Sequence, residues 1–137
     1  MNPYEDDDTV DELPAPPRKD IPAADLELLE LAARALGAVR VEEIDGEGML
    51  ILHFAKQAPE YGWNPLVHSD DALRLSVRLE IDVMHRVVGG RRAEAYAPGF
   101  NIVAEPYKGN PLTATKRAIV RAAAAVGNAL SRNNTKA

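Results

Sequence analysis

Histidine is the side chain that most readily exchanges protons near neutral pH. The chain has three: His53, His68 and His85. Only His68 has a hydroxyl and two carboxylates beside it, in the tetrapeptide His-Ser-Asp-Asp at 68–71. A nucleophilic site needs a base close to the nucleophile and a third group that orients the base. The same residues also suit the start of a helix, with a capping hydroxyl and two acids in the first turn. The helix start is favoured, and a small hydrolase using His68 with Asp70 or Asp71 is a minor alternative.

Metal and cofactor motifs are not evident in the sequence. The 137 residues include no cysteine, which excludes disulfides, thiolate ligands and cysteine nucleophiles. The tetrapeptide 68–71 lacks the i, i+4 spacing of helical zinc ligands, and Gly46-Glu47-Gly48 is only the first half of a dinucleotide fingerprint. We therefore expect no catalytic residue, no metal and no cofactor, and a protein that is not an enzyme.

Cations concentrate in the second half of the chain. Residues 61–137 hold 11 Lys and Arg against 6 acids, whereas residues 1–60 hold 5 against 15. The candidate phosphate contacts are Arg91, Arg92, Lys108, Lys116, Arg117, Arg121 and Arg132. A net charge of −5 and a sequence pI of about 5.2 are far from the basic values of nucleic-acid binders. RNA or DNA binding by this half, loosely like a double-stranded-RNA-binding domain, is therefore kept as the alternative function.

The composition changes along the chain and sets the predicted domain boundaries. Residues 1–22 hold five of the ten prolines and seven acids, which predicts a disordered tail. A single domain is predicted over 23–132, and residues 133–137 are expected to fray. No apolar run approaches the roughly 20 residues of a membrane span, and the acidic start is unlike a signal peptide. We therefore expect a cytoplasmic protein without membrane contact.

The first predicted helix, about 23–36, is apolar around more than half of its circumference. Leu28 and Leu31 extend its main apolar face onto a second one. Such a helix is either wedged between other elements or contacts a partner. The wedge is favoured, with a homodimer through helix 23–36 as the alternative.

The last predicted helix, about 111–131, follows an N-cap at Asn110 and a proline at its first position. Its predicted apolar face consists of Leu112, Ile119, Ala122, Ala123, Val126 and Leu130. The opposite face is predicted to carry Arg117, Arg121, Asn128 and Arg132.

Strands are predicted between these helices. A hairpin is expected from 39–44 and 49–54, and three more strands from 83–88, 91–97 and 100–105. Residues 70–83 remain ambiguous, because apolar and polar residues alternate as in a strand while the residues at 69–71 suit a helix start.

Three segments resemble a known family. They are GWNPL at 62–66, SDDALRLSVRLEIDV at 69–83 and EPYKGNPLTATKRAIVRAAAAVG at 105–127. Together they resemble the phage ABA sandwich domain family, small uncharacterised proteins of phages and of bacterial genomes carrying prophages. The resemblance covers about 24–131. It implies a helix–sheet–helix layering, with a helix at about 70–79 and a strand from about 80, and it carries over no activity, cofactor or catalytic residue.

The segment around Trp63 has two interpretations. If Trp63 is buried it packs over the sheet edge, while Asn64 and Pro65 shape the turn that follows. If Trp63 is exposed beside Tyr61, it anchors a partner. The structural interpretation is favoured. The candidate partner-binding residues are Tyr61, Trp63, Asn64, Leu28 and Leu31.

The sequence as a whole predicts an α+β fold, a three-layer α/β/α sandwich with the order α-ββ-α-βββ-α and a mainly antiparallel sheet. The predicted function is a non-enzymatic accessory protein of phage or prophage type that binds another protein, whose identity the sequence does not indicate.

Overall fold

The computed structural model describes residues 17–135, with side chains described as far as residue 132. Its helices are α1 (Ala23–Ala35), α2 (Ser69–Arg78) and α3 (Pro111–Thr135). Its strands are β1 (Arg40–Ile44), β2 (Met49–His53), β3 (Glu60–Trp63), β4 (Asp82–Arg86), β5 (Arg92–Tyr96) and β6 (Val103–Pro106). The strands form two antiparallel sheets, in the orders β1-β2-β3 and β4-β5-β6. The predicted α+β fold with antiparallel strands is confirmed and is consistent with a sandwich. The strands form two sheets and not the single sheet that was predicted, and the element order is α-βββ-α-βββ-α in place of α-ββ-α-βββ-α.

The additional element is β3, which the sequence-based order omitted. Its four residues pair with β2, so that Tyr61 lies opposite Ile51 and Trp63 lies opposite Leu50. The register shifts between these two pairs, and Gly62 between them has φ of +76°. A strand this short, interrupted by a bulge and a glycine, lacks the alternating run that marks strands in a sequence.

The ambiguous segment 70–83 is a helix followed by a strand, as the resemblance implied. In α2, Leu75 is buried beside Ala72, whereas Leu73 and Val77 are 64% and 69% exposed. The alternation thus splits across two helix faces, since residues two apart lie about 200° apart around a helix. Ser69 is the first helical residue and not the cap, because His68 holds the cap position without a side-chain hydrogen bond.

Packing centres on α3, which contacts α1, α2, β5 and β6. Its buried side chains are mostly small, and so are Ala93 and Ala95 on the facing side of β5. Small residues let backbones approach closely. A Cβ placed on Gly127 would lie 1.8 Å from the carbonyl oxygen of Leu31, so α1 and α3 cross with their backbones in contact.

Leu29, Ala32 and Ala33 of α1 are fully buried. The favoured wedge interpretation of the first helix therefore agrees with the packing.

The predicted apolar face of the last helix needs correction at both ends. Leu112 and Leu130 are 57% and 44% exposed, while Ala118, Val120 and Ala124, outside the predicted face, are buried. Contacts on several sides of α3 explain this breadth, because a helix surrounded by neighbours buries more than one stripe. The helix also continues through residues 133–135, past the predicted end at about 131, and residues 136–137 lie outside the described part.

Residues 17–22, assigned to the tail by composition, contact the β1–β2 turn. The Lys19 amide donates to the Gly46 carbonyl over 3.0 Å, and Arg18 pairs with Asp45. The Arg18 guanidinium lowers the pKa of the Asp45 carboxyl by its hydrogen bond. Arg18 and Lys19, which fall within the tail predicted over 1–22, thus contact the fold, while residues 1–16 of that prediction lie outside the described residues.

The element order repeats the unit helix–three strands, and a tripeptide repeats with it. Asn-Pro-Leu occurs at 64–66 after β3 and again at 110–112 after β6. Asn110 caps α3, since its Oδ1 accepts the Thr113 amide at 3.1 Å, which confirms the predicted cap. Asn64 instead closes a turn onto the Leu66 amide at 3.0 Å, and α2 begins only at Ser69.

Candidate functional site

The corner between β3 and α2 is built around Asn64, which is 3% exposed. Its Nδ2 donates to the Gly48 carbonyl at 2.8 Å and its Oδ1 accepts the Leu66 amide at 3.0 Å. Its backbone amide donates to Asp71 Oδ2 at 3.0 Å, and Asp71 Oδ1 accepts from Arg74 Nη2 at 2.6 Å. Both polar atoms of the Asn64 side chain thus have partners inside the fold, and the residue is buried, so Asn64 serves the corner and not a partner surface.

The two aromatic residues of β3 point in different directions. Trp63 is 3% exposed and belongs to the core, which agrees with the structural interpretation favoured from the sequence. Tyr61 is 69% exposed. Of the predicted partner-binding residues on β3, therefore, only Tyr61 presents its side chain to solvent.

A cavity of about 430 Å³ lies between α2, β3 and Leu36, the residue that follows α1. It is lined by Leu36, Glu60, Trp63, Leu73, Arg74, Leu75, Val77 and Arg78. Trp63 and Leu75 are its buried residues, and Leu73 and Val77 are its exposed apolar ones. We call this cavity the apolar groove. Volumes of 300–1,000 Å³ with mainly apolar walls are typical of binding sites.

The charged residues of the apolar groove are unequally paired. Arg74 lies 2.6 Å from Asp71 and 3.9 Å from Glu60, and its hydrogen bond to Asp71 raises the pKa of the guanidinium. Arg78 donates only to the Leu36 carbonyl at 3.4 Å. Among the described residues no carboxylate pairs with Arg78, so this guanidinium is the positive charge that the groove offers to a ligand.

The sequence did not single out Leu73 and Val77 as functional, because their place in an alternating run suggested a strand face. The sequence feature that indicates them is the repeat of an aliphatic residue followed by arginine, at 73–74 and again four residues later at 77–78. On a helix this spacing puts two apolar and two basic side chains on one face.

The cluster around His68 does not form a catalytic relay. His68 Nε2 lies 3.1 Å from Met49 Sδ, whereas the Asp71 oxygens bond to Asn64 and Arg74. A second cavity of about 430 Å³ beside His68 is lined by no serine, threonine or cysteine. The hydroxyl nucleophile that a relay of His68 and an Asp would activate is therefore not among the residues lining this cavity.

The other two histidines have single polar neighbours. His53 Nε2 lies 3.0 Å from Glu42 Oε1, and His85 Nδ1 lies 2.6 Å from the Tyr107 hydroxyl. Within residues 17–135, no three His, Asp or Glu side chains are arranged to hold a metal ion.

Most of the predicted phosphate contacts are engaged within the fold. Arg117 bridges Asp25 and Glu105 at 3.0 and 3.1 Å, and Arg121 pairs with Glu105 at 3.0 Å. Lys116 donates to the Val67 carbonyl at 2.9 Å. Arg132 also has an interaction within the chain. These side chains join α3 to α1, β6 and the turn before α2.

The remaining predicted cations meet at one end of the second sheet. The Tyr107 amide donates to the Arg91 carbonyl at 3.0 Å, which brings the chain after β6 against the β4–β5 turn. We call the four cations here the basic hairpin end: Arg86, Arg91, Arg92 and Lys108. Its apex, Val87 and Val88, is 67% and 90% exposed.

One carboxylate faces the basic hairpin end. Glu94 accepts from Arg92 at 2.9 Å and from Arg86 at 3.1 Å, and these hydrogen bonds lower the pKa of its carboxyl. Arg91 and Lys108 are exposed, and no ion pair involves either within residues 17–135. The end therefore carries an uncompensated positive charge.

Leu28 and Leu31, the candidate dimer contacts, are both half-buried. Leu28 packs against the core, and Leu31 lies where α1 crosses α3 at Gly127. The chain therefore covers much of the second apolar face of α1 by itself.

Comparison with known proteins gives no relative: no protein-family model, curated protein or solved structure matches the chain. Helices in the described part of the chain are not both long and apolar enough to cross a membrane.

Proposed function

We propose that this protein is a non-enzymatic binding module that holds a segment of a partner protein in the apolar groove. The observation that carries the proposal is the exposure of Leu73 and Val77 beside a cavity whose inner residues include Trp63 and Leu75. Two aliphatic side chains one helical turn apart, next to buried aromatic and aliphatic residues, are typical of surfaces that receive apolar anchors.

The chemistry of the groove defines the partner segment. Its apolar residues require aliphatic or aromatic side chains, spaced one turn apart to match Leu73 and Val77. Arg78, hydrogen-bonded only to a carbonyl, favours a carboxylate on the segment. The proposed ligand is therefore an amphipathic segment with an acidic residue beside its apolar anchors.

A phage or prophage origin is part of the proposal and is supported by the motif resemblance alone. The segments GWNPL and SDDALRLSVRLEIDV build the β3–α2 corner and the groove helix, so the resemblance and the proposed site involve the same residues. On this proposal the protein acts as an accessory component that recognises another protein.

Nucleic-acid binding is not the function we propose. Five of the seven cations predicted to contact phosphates already have partners within the chain: Arg92, Lys116, Arg117, Arg121 and Arg132. Phosphate contacts would have to displace these interactions, which reduces what the cations gain from a phosphate backbone.

Selection of peptide ligands tests the proposed function. A library of short peptides is selected on the full chain, and binders are titrated while the emission of Trp63, the only tryptophan, is recorded. We expect binders with two apolar residues one turn apart and one acid. Their affinity for Leu73→Ser/Val77→Ser should fall at least tenfold, because burying each side chain is worth about 1.5–3 kcal/mol and 1.4 kcal/mol is tenfold.

Val87→Ser/Val88→Ser is the matched control, since it removes two exposed aliphatic side chains that do not line the groove. It should bind like the wild type. Peptides that bind the Leu73/Val77 variant and the wild type equally well would refute the groove as the binding site.

A further inference from the structure

The basic hairpin end is a second surface that the proposed function does not use. It combines Arg91 and Lys108, both without an ion pair in the described part of the chain, with Arg86 and Arg92, which share Glu94. The adjacent valines at the apex are the most exposed aliphatic pair in the described part of the chain. Cations around an exposed apolar apex fit a ligand that is anionic and also carries apolar side chains.

A segment with this chemistry lies in the same chain. Residues 1–16 contain six Asp and Glu and no Lys or Arg. Their apolar side chains, Val10 and Leu13 among them, are interspersed with or follow the acids. The segment therefore complements both the charge and the valines of the basic hairpin end.

The electrostatic field of the fold directs such a segment away from its attachment point. Residue 17 begins beside the β1–β2 turn, where β1 and the turn carry Glu43, Asp45 and Glu47. Arg18 pairs with Asp45 and Lys19 adjoins the same turn, so carboxylates outnumber cations there only three to two. The basic hairpin end has four cations and one carboxylate, and it therefore attracts the acids of residues 1–16 more strongly.

The connecting chain is long enough for this contact. The acids at 5–8 precede residue 17 by roughly 9–12 residues, and that length of extended chain spans about 30–40 Å, against a domain roughly 35 Å across. Attachment in the same molecule also gives a short segment an effective concentration in the millimolar range, so weak ion pairs suffice to keep it bound.

We infer that residues 1–16 bind the basic hairpin end of their own molecule, with acids on Arg91 and Lys108 and apolar side chains against Val87 and Val88. The segment then occupies the surface that an external polyanion would otherwise reach. This inference concerns a different surface from the groove and does not depend on the proposed function.

Paramagnetic relaxation in the full chain tests the inference. Because the chain has no cysteine, Thr9→Cys accepts a single spin label. We expect the backbone amide signals of residues 86–92 and of Lys108 to lose at least half of their intensity at low salt, since the effective concentration exceeds the dissociation constant. The amides of α2 beside the groove should keep theirs. Salt at 1 M should restore the lost intensity, because it shortens the Debye length to about 3 Å.

Charge reversal supplies the matched variants. Arg91→Glu/Lys108→Glu should abolish the loss of signal intensity. Arg40→Glu/Lys56→Glu makes the same charge change at exposed residues of β1 and of the β2–β3 loop, and it should keep the loss. Three results would each overturn the inference. The first is that the amide signals of Leu73 and Val77 lose the most intensity, and the second is that intensity is lost only when the labelled chain and the isotope-enriched chain are different molecules. The third is that no intensity is lost although short duplex RNA shifts the hairpin signals.

Discussion

At the scale of single residues, the most informative contacts are those of Asn64 and Asp71. The sequence places Asp71 among the acids of a helix start, where it would act through the helix dipole. In the fold it is buried, and it accepts one hydrogen bond from the Asn64 amide and one from Arg74. The Trp-Asn-Pro-Leu motif thus has a structural role, because it fixes the corner that sets α2 against β3 and so forms one wall of the groove.

Asp71→Ala should lower the free energy of unfolding by about 1–3 kcal/mol, because the Asn64 amide is left buried without an acceptor. Asp70→Ala, next to it and exposed, should cost no more than about 1 kcal/mol through the helix dipole. Urea titration followed by Trp63 emission measures both. Equal losses for the two variants would show that Asp71 acts only as a helix-start charge.

At the scale of secondary-structure elements, the crossing of α1 and α3 holds the molecule together. Gly127 faces the Leu31 carbonyl so closely that a side chain has no room. The alanine-rich sequence of α3 serves the same close approach, because Ala122 and Ala123 are buried without separating the helices. A pattern of small residues in this helix therefore reports helix–helix contact as well as helix propensity.

Gly127→Ala should destabilise the protein by about 1–3 kcal/mol, although alanine in a helix interior is favoured over glycine by about 1 kcal/mol. The new Cβ would force the two helix backbones apart. Asn128→Ala, at the next and exposed position, should instead stabilise by about 0.5 kcal/mol. Thermal unfolding followed by circular dichroism compares them, and a raised melting temperature for Gly127→Ala would contradict the packed crossing.

At the scale of the whole molecule, charge and apolar surface are both unevenly distributed. The net charge of −5 combines an acidic first half with a second half whose cations mostly hold elements together. Exposed aliphatic side chains occur in pairs on the groove helix and at the apex of the basic hairpin end, and singly at Val39, Val67, Ile102, Leu112 and Leu130. The broad apolar surface of α1, which suggested a dimer, is largely covered by α3.

We therefore expect a monomer of 14.9 kDa in solution. Sedimentation equilibrium at several loading concentrations measures the mass. A dimer mass would contradict the wedge interpretation of α1, provided that Leu28→Ser/Leu31→Ser, which reduces the half-buried face, returns the mass to that of a monomer. If Leu73→Ser/Val77→Ser alone does so, the groove is the dimer contact and the wedge interpretation stands.

Local patterns in the sequence determined much of the fold. The Asn110-Pro111 cap, the β1–β2 hairpin and the Gly89-Gly90 turn are each encoded by neighbouring residues, whose backbone preferences act over a few positions. The sequence also repeats Asn-Pro-Leu at 64–66 and 110–112. Because the second copy follows the third strand of a sheet, the first copy indicates a third strand before it as well.

Tertiary structure decided the rest. Residues 70–83 satisfy both a strand period and a helix start, and only packing against the rest of the fold places Leu75 inside and Leu73 outside. The groove and the pairing of Arg117 with Asp25, 92 positions apart, likewise depend on contacts between distant segments. Such contacts form only once the chain has folded, so local propensity and residue spacing do not predict them.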